Sequence, residues 1–232
     1  MRFGEDWRFN VISMTDTASI PLAKRRDDIL ADLAKAASPP PCLVAVSKTQ
    51  PDEKIDAMLS AGQRVFGENR VQEAQAHWTD RRALYPDLEL RLIGPLQTNK
   101  AEDAVALFDV IETLDRDKLA RALAKAIAKV GRAPRIFIQV NTGEEPQKAG
   151  VTPDGLADLL KVAVGECGLD VQGLMCIPPV DEPAGPHFAL LAKLARRHGL
   201  TGLSMGMSGD YALAASLGAT HVRVGTALFG AR

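Results

Sequence analysis

Lys48 closes an apolar run, LVAVSK, in which Val44, Val46 and Lys48 alternate onto one face. A lysine at a strand end can be an ordinary solvated side chain. Partly desolvated, its amine sheds its proton more readily and can condense with a carbonyl as a Schiff base. Two later segments suit an anion. MGMSGD at 205–210 sets two glycines and a serine directly before a helical pattern, and Gly225-Thr226 adds an amide and a hydroxyl at the end of a strand. Glycines permit close backbone approach, and free amides at a helix start attract negative charge. Taken singly, each segment is equally well a glycine turn, with Ser208 as a helix cap. Taken together they are read as a phosphate site, with Ser208, Gly209, Gly225 and Thr226 as its donors. Arg223 stands two residues before Gly225 on the same strand face, either beside that site or in a structural ion pair.

The elements that must position these residues alternate along the chain. Short apolar runs occur at 42–47, 64–68, 89–93, 109–113, 135–140, 171–177, 202–205 and 221–225. Several are apolar at consecutive positions, as parallel strands covered on both faces are. Helical periodicity fills the gaps. Leu119, Ala122, Leu123, Ala126, Ile127 and Val130 share a face, with Asp115 placed to cap that helix and Gly131 to stop it. Thr152-Pro153 is read as opening the next helix, with Gly165 after it. Phe188, Leu191, Leu194 and Ala195 mark another, before His198-Gly199. A further helix over roughly 20–37 precedes the first strand. Eight such units predict a single (β/α)₈ TIM barrel, with an open doubly wound sheet as the alternative. Only TALFGAR follows the eighth strand, so the N-terminal helix is expected to cover the place of a short eighth helix. Residues 1–19 are expected to be a loose arm, or in part upstream of a start at Met14. Residues 20–232 are expected to be the barrel domain.

The 232 residues are 46% hydrophobic and 25% charged, an ordinary globular mix. Lys+Arg 28 against Asp+Glu 29 gives a net charge of -1, which speaks against generic nucleic-acid or anionic-membrane binding. No run approaches the length of a membrane span. Cys42, Cys167 and Cys176 are too few and scattered for a disulfide framework, so a reduced, cytoplasmic protein is expected. The expected oligomeric state is a monomer, an expectation with no residue pattern behind it. His77, His187, His198 and His221 have no paired-ligand spacing, so no metal is expected. No dinucleotide or P-loop fingerprint is present.

The strand ends, LVAVSK, FGENRVQEA (66–74), LIGPLQTNK (92–100), VNTGEEPQKAGV (140–151), GLMCIPP (173–179), LSMGMSGDY (203–211) and VRVGTALFGAR (222–232), resemble those of the pyridoxal phosphate homeostasis proteins. The resemblance runs from about residue 20 to the C-terminus. It implies a barrel like the N-terminal domain of alanine racemase, binding pyridoxal 5′-phosphate (PLP) as a Schiff base on Lys48. It places Ser208, Gly209, Gly225 and Thr226 on the phosphate, Arg223 opposite the pyridine nitrogen, and Asn69 in the cofactor pocket. The chain departs from the family pattern at Leu90-Arg91, where relatives often carry an aromatic-His pair.

Three readings follow. One is a non-catalytic PLP buffer or carrier, with PLP-dependent enzymes as recipients and no catalytic residue. The second is a racemase of the alanine racemase type, which needs a second base; Tyr85 and Tyr211 are the only tyrosines, and Tyr211 lies nearer the site in sequence. The third is a barrel enzyme binding another phosphorylated metabolite.

Overall fold

The structure, a computed structural model, describes residues 21–230. The arm expected over 1–19 lies outside them. In chain order the elements are α1 (Leu22–Ala36), β1 (Cys42–Val46), α2 (Asp52–Ser60), β2 (Val65–Glu68), α3 (Val71–Leu84), β3 (Glu89–Leu92), α4 (Ala101–Leu107), β4 (Val110–Leu114) and α5 (Asp117–Val130). Then come β5 (Arg135–Val140), α6 (Leu156–Leu160), β6 (Val171–Cys176), α7 (Ala184–Arg197), β7 (Gly202–Ser204), α8 (Tyr211–Ser216), β8 (His221–Val224) and α9 (Thr226–Phe229). The eight strands form one closed parallel barrel in sequence order, sealed where β1 pairs with β8. In that seam Cys42 lies beside His221 and Val44 beside Arg223.

Strand parity sorts the barrel into two environments. Leu43, Ala45, Phe66, Leu90, Leu92, Ile111, Ile136 and Ile138 face outward into the main core, against helix faces such as Leu119, Leu123 and Ala126 of α5. Burying each large aliphatic or aromatic side chain there stabilises the fold by about 1.5–3 kcal/mol. The alternate positions face inward, where Val110, Phe137 and Met175 form a small apolar cluster of their own. Polar side chains share this interior, with Arg91, Glu112, Ser204 and Arg223 all buried.

The last helix is short, and α1 packs against both α8 and α9, as expected from TALFGAR. Ile29 and Leu33 supply the buried face of α1. Arg25 Nη1 donates to Leu228 O at 3.5 Å, and Lys54 Nζ of α2 donates to Phe229 O at 2.9 Å. These side chains satisfy carbonyls that α9 is too short to bond itself.

Three local expectations need correction. Asp115 does not cap α5: its carboxylate pairs with Arg116, whose extended backbone starts the helix without a side-chain cap. Gly131 does end it, at φ +74°. Thr152-Pro153 opens a turn rather than the helix. The Thr152 hydroxyl accepts from Gly155 N–H at 3.2 Å, and α6 begins at Leu156. Gly165 is no stop. It lies within a wide π-helical turn, Lys161–Glu166, that ends before Gly168 at φ +63°.

Candidate functional site

The C-terminal ends of the strands enclose a cavity of about 340 Å³. All seven residues singled out from the sequence line it: Lys48, Asn69, Ser208, Gly209, Arg223, Gly225 and Thr226. They come from four different strand ends, brought together by barrel closure. That volume lies within the range of small-ligand sites.

Lys48 follows β1 directly and is half-buried. Its amine has no hydrogen-bond or ion-pair partner among the described residues, although it lines the cavity. The next residue, Thr49, takes a left-handed backbone at φ +58°, and its N–H donates to the Glu73 carboxylate of α3. Asn69 is placed by a close approach of two backbones. A Cβ on Gly94 would stand 2.2 Å from Asn69 O, so only glycine lets the β2 and β3 strand ends meet there.

The loop 205–210 turns at Gly206, with φ +91°, where an added Cβ would lie 2.5 Å from the Ala214 Cβ. Asp210 Oδ1 closes the loop by accepting from Met207 N–H at 2.5 Å. Ser208 therefore does not cap α8. Its Oγ instead accepts from the N–H groups of Gly225 at 3.3 Å and Ala227 at 3.2 Å, joining the loops after β7 and β8. The N–H groups of Ser208, Gly209 and Thr226 have no acceptor among the described residues, which leaves convergent donors at one end of the cavity.

Arg223 lies at the cavity floor, 4% exposed. Nη1 donates to Ser204 Oγ at 2.7 Å and Nη2 to Cys176 O at 2.8 Å. Ser204 in turn donates to Glu112 Oε2 at 2.5 Å, and Glu112 Oε1 accepts from Arg91 Nε at 2.5 Å. Burial pushes the Glu112 carboxyl up, but Arg91 and Arg223 together hold it below its ordinary value, so it is ionised. Arg91 continues the chain to Glu89, which also pairs with Arg135. Burial, against a weaker pull from Arg223, pushes the Cys176 thiol up to about 12, so it is no nucleophile.

Sequence reasoning gave no role to two groups of residues. Val46, Ile93, Ile177 and Met207 form the apolar walls; strand parity sets Val46 on the face of Lys48, and Ile93 and Ile177 stand at strand ends. Arg91, Glu112 and Ser204 make up the polar interior, and no local signal links them. Tyr211 does not line the cavity. Its hydroxyl donates to Asp32 on α1 at 3.3 Å. Tyr85 lies beneath the Arg64 guanidinium, 5.0 Å from its ring centre. Among the described residues no group of three or more His, Cys, Asp or Glu side chains could hold a metal ion.

An unpaired amine and a cluster of free amides in one cavity suit a ligand with a carbonyl and an anionic group. Residues 29–232 match the family of the alanine racemase N-terminal domain. The chain is also 40% identical over 200 residues to the pyridoxal phosphate homeostasis protein of Vibrio alginolyticus, a match covering 82% of this chain and 86% of that one. It belongs to the pyridoxal phosphate homeostasis protein family. Another similar protein is PipY of Synechococcus elongatus, solved with PLP bound. That structure is 38% identical, with a TM-score of 0.76 over 90% of this chain and 100% of PipY. Alanine racemase of Clostridium difficile shares only the fold, at 14% identity and a TM-score of 0.70 over 57% of its length. Arg91 is held in a buried pair with Glu112, both side chains being 1% exposed or less.

Proposed function

We propose that this member of the family binds pyridoxal 5′-phosphate through Lys48 and acts in its intracellular homeostasis, as a buffer or carrier without turnover. The observation that carries this reading is the convergence of Lys48, the two amide-rich loops and Arg223 on a single cavity. When bound, pyridoxal 5′-phosphate supplies an aldehyde to which an amine adds reversibly with loss of water. Lys48 is the amine positioned to hold it. The free amides of Ser208, Gly209 and Thr226 fit a phosphate. Ile93, Ile177 and Met207 fit the faces of an aromatic ring, and Asn69 offers an unpaired amide at its edge. Arg223 opposite the ring nitrogen disfavours protonation there, because a fixed cation penalises a second one.

The same geometry argues against racemisation. A racemase needs a proton donor on each face of the cofactor. Lys48 is available on one side. Neither tyrosine reaches the cavity, and the hydroxyl of Tyr211 is engaged by Asp32. An unprotonated ring also stabilises a carbanion poorly. PLP-dependent enzymes are the recipients this reading implies, and the cytoplasm its setting, with the protein as a monomer. Among the described residues no helix is long and apolar enough to cross a membrane, and all three cysteines are free.

The test is direct. The purified protein should show a visible absorption band. Borohydride reduction and peptide mass mapping should place a pyridoxyl group on Lys48. A label found reproducibly on another lysine, with Lys48 clean, would falsify the assignment.

A further inference from the structure

The interior of the barrel holds a fixed chain of contacts that ends at the cavity floor. Glu112 is fully buried and gives one oxygen to Arg91 and the other to Ser204. Ser204 has a single hydroxyl proton, and the 2.5 Å contact commits it to Glu112. The Ser204 oxygen must then accept, and it does so from Arg223 Nη1 at 2.7 Å. Cys176 O holds the other Nη at 2.8 Å. A long, entropy-rich side chain is thus pinned at both terminal nitrogens, with its remaining N–H groups left at the cavity. The other charged groups along the chain, Glu89 and Arg135, lie beyond Arg91 and do not touch Ser204.

We infer that Ser204, oriented by Glu112, is a positioning residue that presets Arg223 for the ring nitrogen of the bound cofactor. This rests on the proposed binding of pyridoxal 5′-phosphate. A merely structural role for Ser204 would change stability and weaken all ligands alike. A positioning role changes the discrimination of the ring nitrogen in particular, because only that contact depends on the angle of the guanidinium.

The experiment compares two probes, pyridoxal 5′-phosphate and its 1-deaza analogue, in which C–H replaces the ring nitrogen. Dissociation constants are measured for the wild-type chain, Ser204→Ala, Arg223→Leu and the double variant, with unfolding temperatures of the unloaded proteins alongside. A hydrogen bond involving a charged group corresponds to a preference of about tenfold or more for the nitrogen-bearing probe in the wild type. Ser204→Ala should cut that preference to below about threefold. Arg223→Leu should abolish it, and adding Ser204→Ala to Arg223→Leu should change it no further. That last equality is the signature of one residue acting through another. A Ser204→Ala variant with the full wild-type preference overturns the inference, as does a further loss in the Arg223→Leu background. Absence of any pyridoxyl label on the wild-type Lys48 overturns the underlying reading instead, so the two failures are distinguishable.

Discussion

Ser208 Oγ lies 3.3 Å from the backbone nitrogen of Gly225 and accepts its proton, so loops 17 residues apart share one oxygen. The same oxygen takes the Ala227 N–H. Both loops are thereby held with their free amides converging on the cavity.

That cross-link predicts a phosphate-dependent affinity. The wild-type chain should bind pyridoxal 5′-phosphate at least a hundredfold more tightly than unphosphorylated pyridoxal, since several charge-assisted hydrogen bonds of about 1.5–3 kcal/mol each are at stake. Ser208→Ala should weaken the phosphorylated ligand by about tenfold and barely affect pyridoxal. Equal dissociation constants for the two ligands in the wild type would sink the phosphate site.

Tyr211 provides a second test. Its hydroxyl is turned to Asp32, and burial, then the Asp32 charge, raises its pKa. Neither feature suits a catalytic acid. Tyr211→Phe should leave the absorption band and the cofactor affinity unchanged. Neither wild type nor variant should form D-isomers from common L-amino acids at anything near the ~10 per second typical of enzymes. Robust racemisation, abolished by Tyr211→Phe, would overturn the carrier reading.

Glu112 balances two buried cations. Removing it leaves Arg223 without a counter-charge and Arg91 with Glu89 alone, and breaking a buried pair from one side costs about 3–5 kcal/mol. Glu112→Ala should therefore lower the denaturant midpoint sharply. Replacing Arg91 and Glu112 together by apolar residues of similar volume should recover much of the loss. Chemical unfolding of the wild type and the two variants decides the point, and a Glu112→Ala variant as stable as wild type contradicts it.

His221 faces the lower interior with its ring edge-on to Phe137, centroids 5.6 Å apart. Burial, and then Arg91, pushes its pKa down from 6.5 to about 4. The folded state thus binds this proton less readily than the unfolded chain. The stability it contributes is complete above pH 6.5 and declines as pH falls toward 4. His77 has the opposite sign. Its hydrogen bond to the Glu68 carboxylate, opposed by burial, raises its pKa above 6.5, so its contribution is full below 6.5 and is lost as pH rises through the raised value. Melting curves should show His221→Gln losing less stability than wild type between pH 6.5 and 4.5. His77→Gln should lose less between pH 6 and 8.5. Slopes identical to wild type in both windows would remove these histidines as the cause.

Periodicity and strand parity in the chain were enough for the eight strands and the position of α1, but they left an open sheet as the alternative to a barrel, which the β1–β8 pairing decides. The positions of Lys48, Asn69, Arg223 and Gly225-Thr226 were also legible, because a parallel barrel gathers its strand ends on one face and each of these residues closes or nearly closes a strand. Local hydrogen bonding was not legible. Ser208 has the sequence of a helix cap, yet its partners are Gly225 and Ala227; a hydroxyl takes whichever donors the fold brings near, and those lie on another strand. The same holds more strongly for Glu112. It lies in the apolar run of β4 and meets Ser204 across 92 residues of chain. Only barrel closure places those two side chains and Arg223 in one interior, where a low dielectric makes each charge depend on its partner.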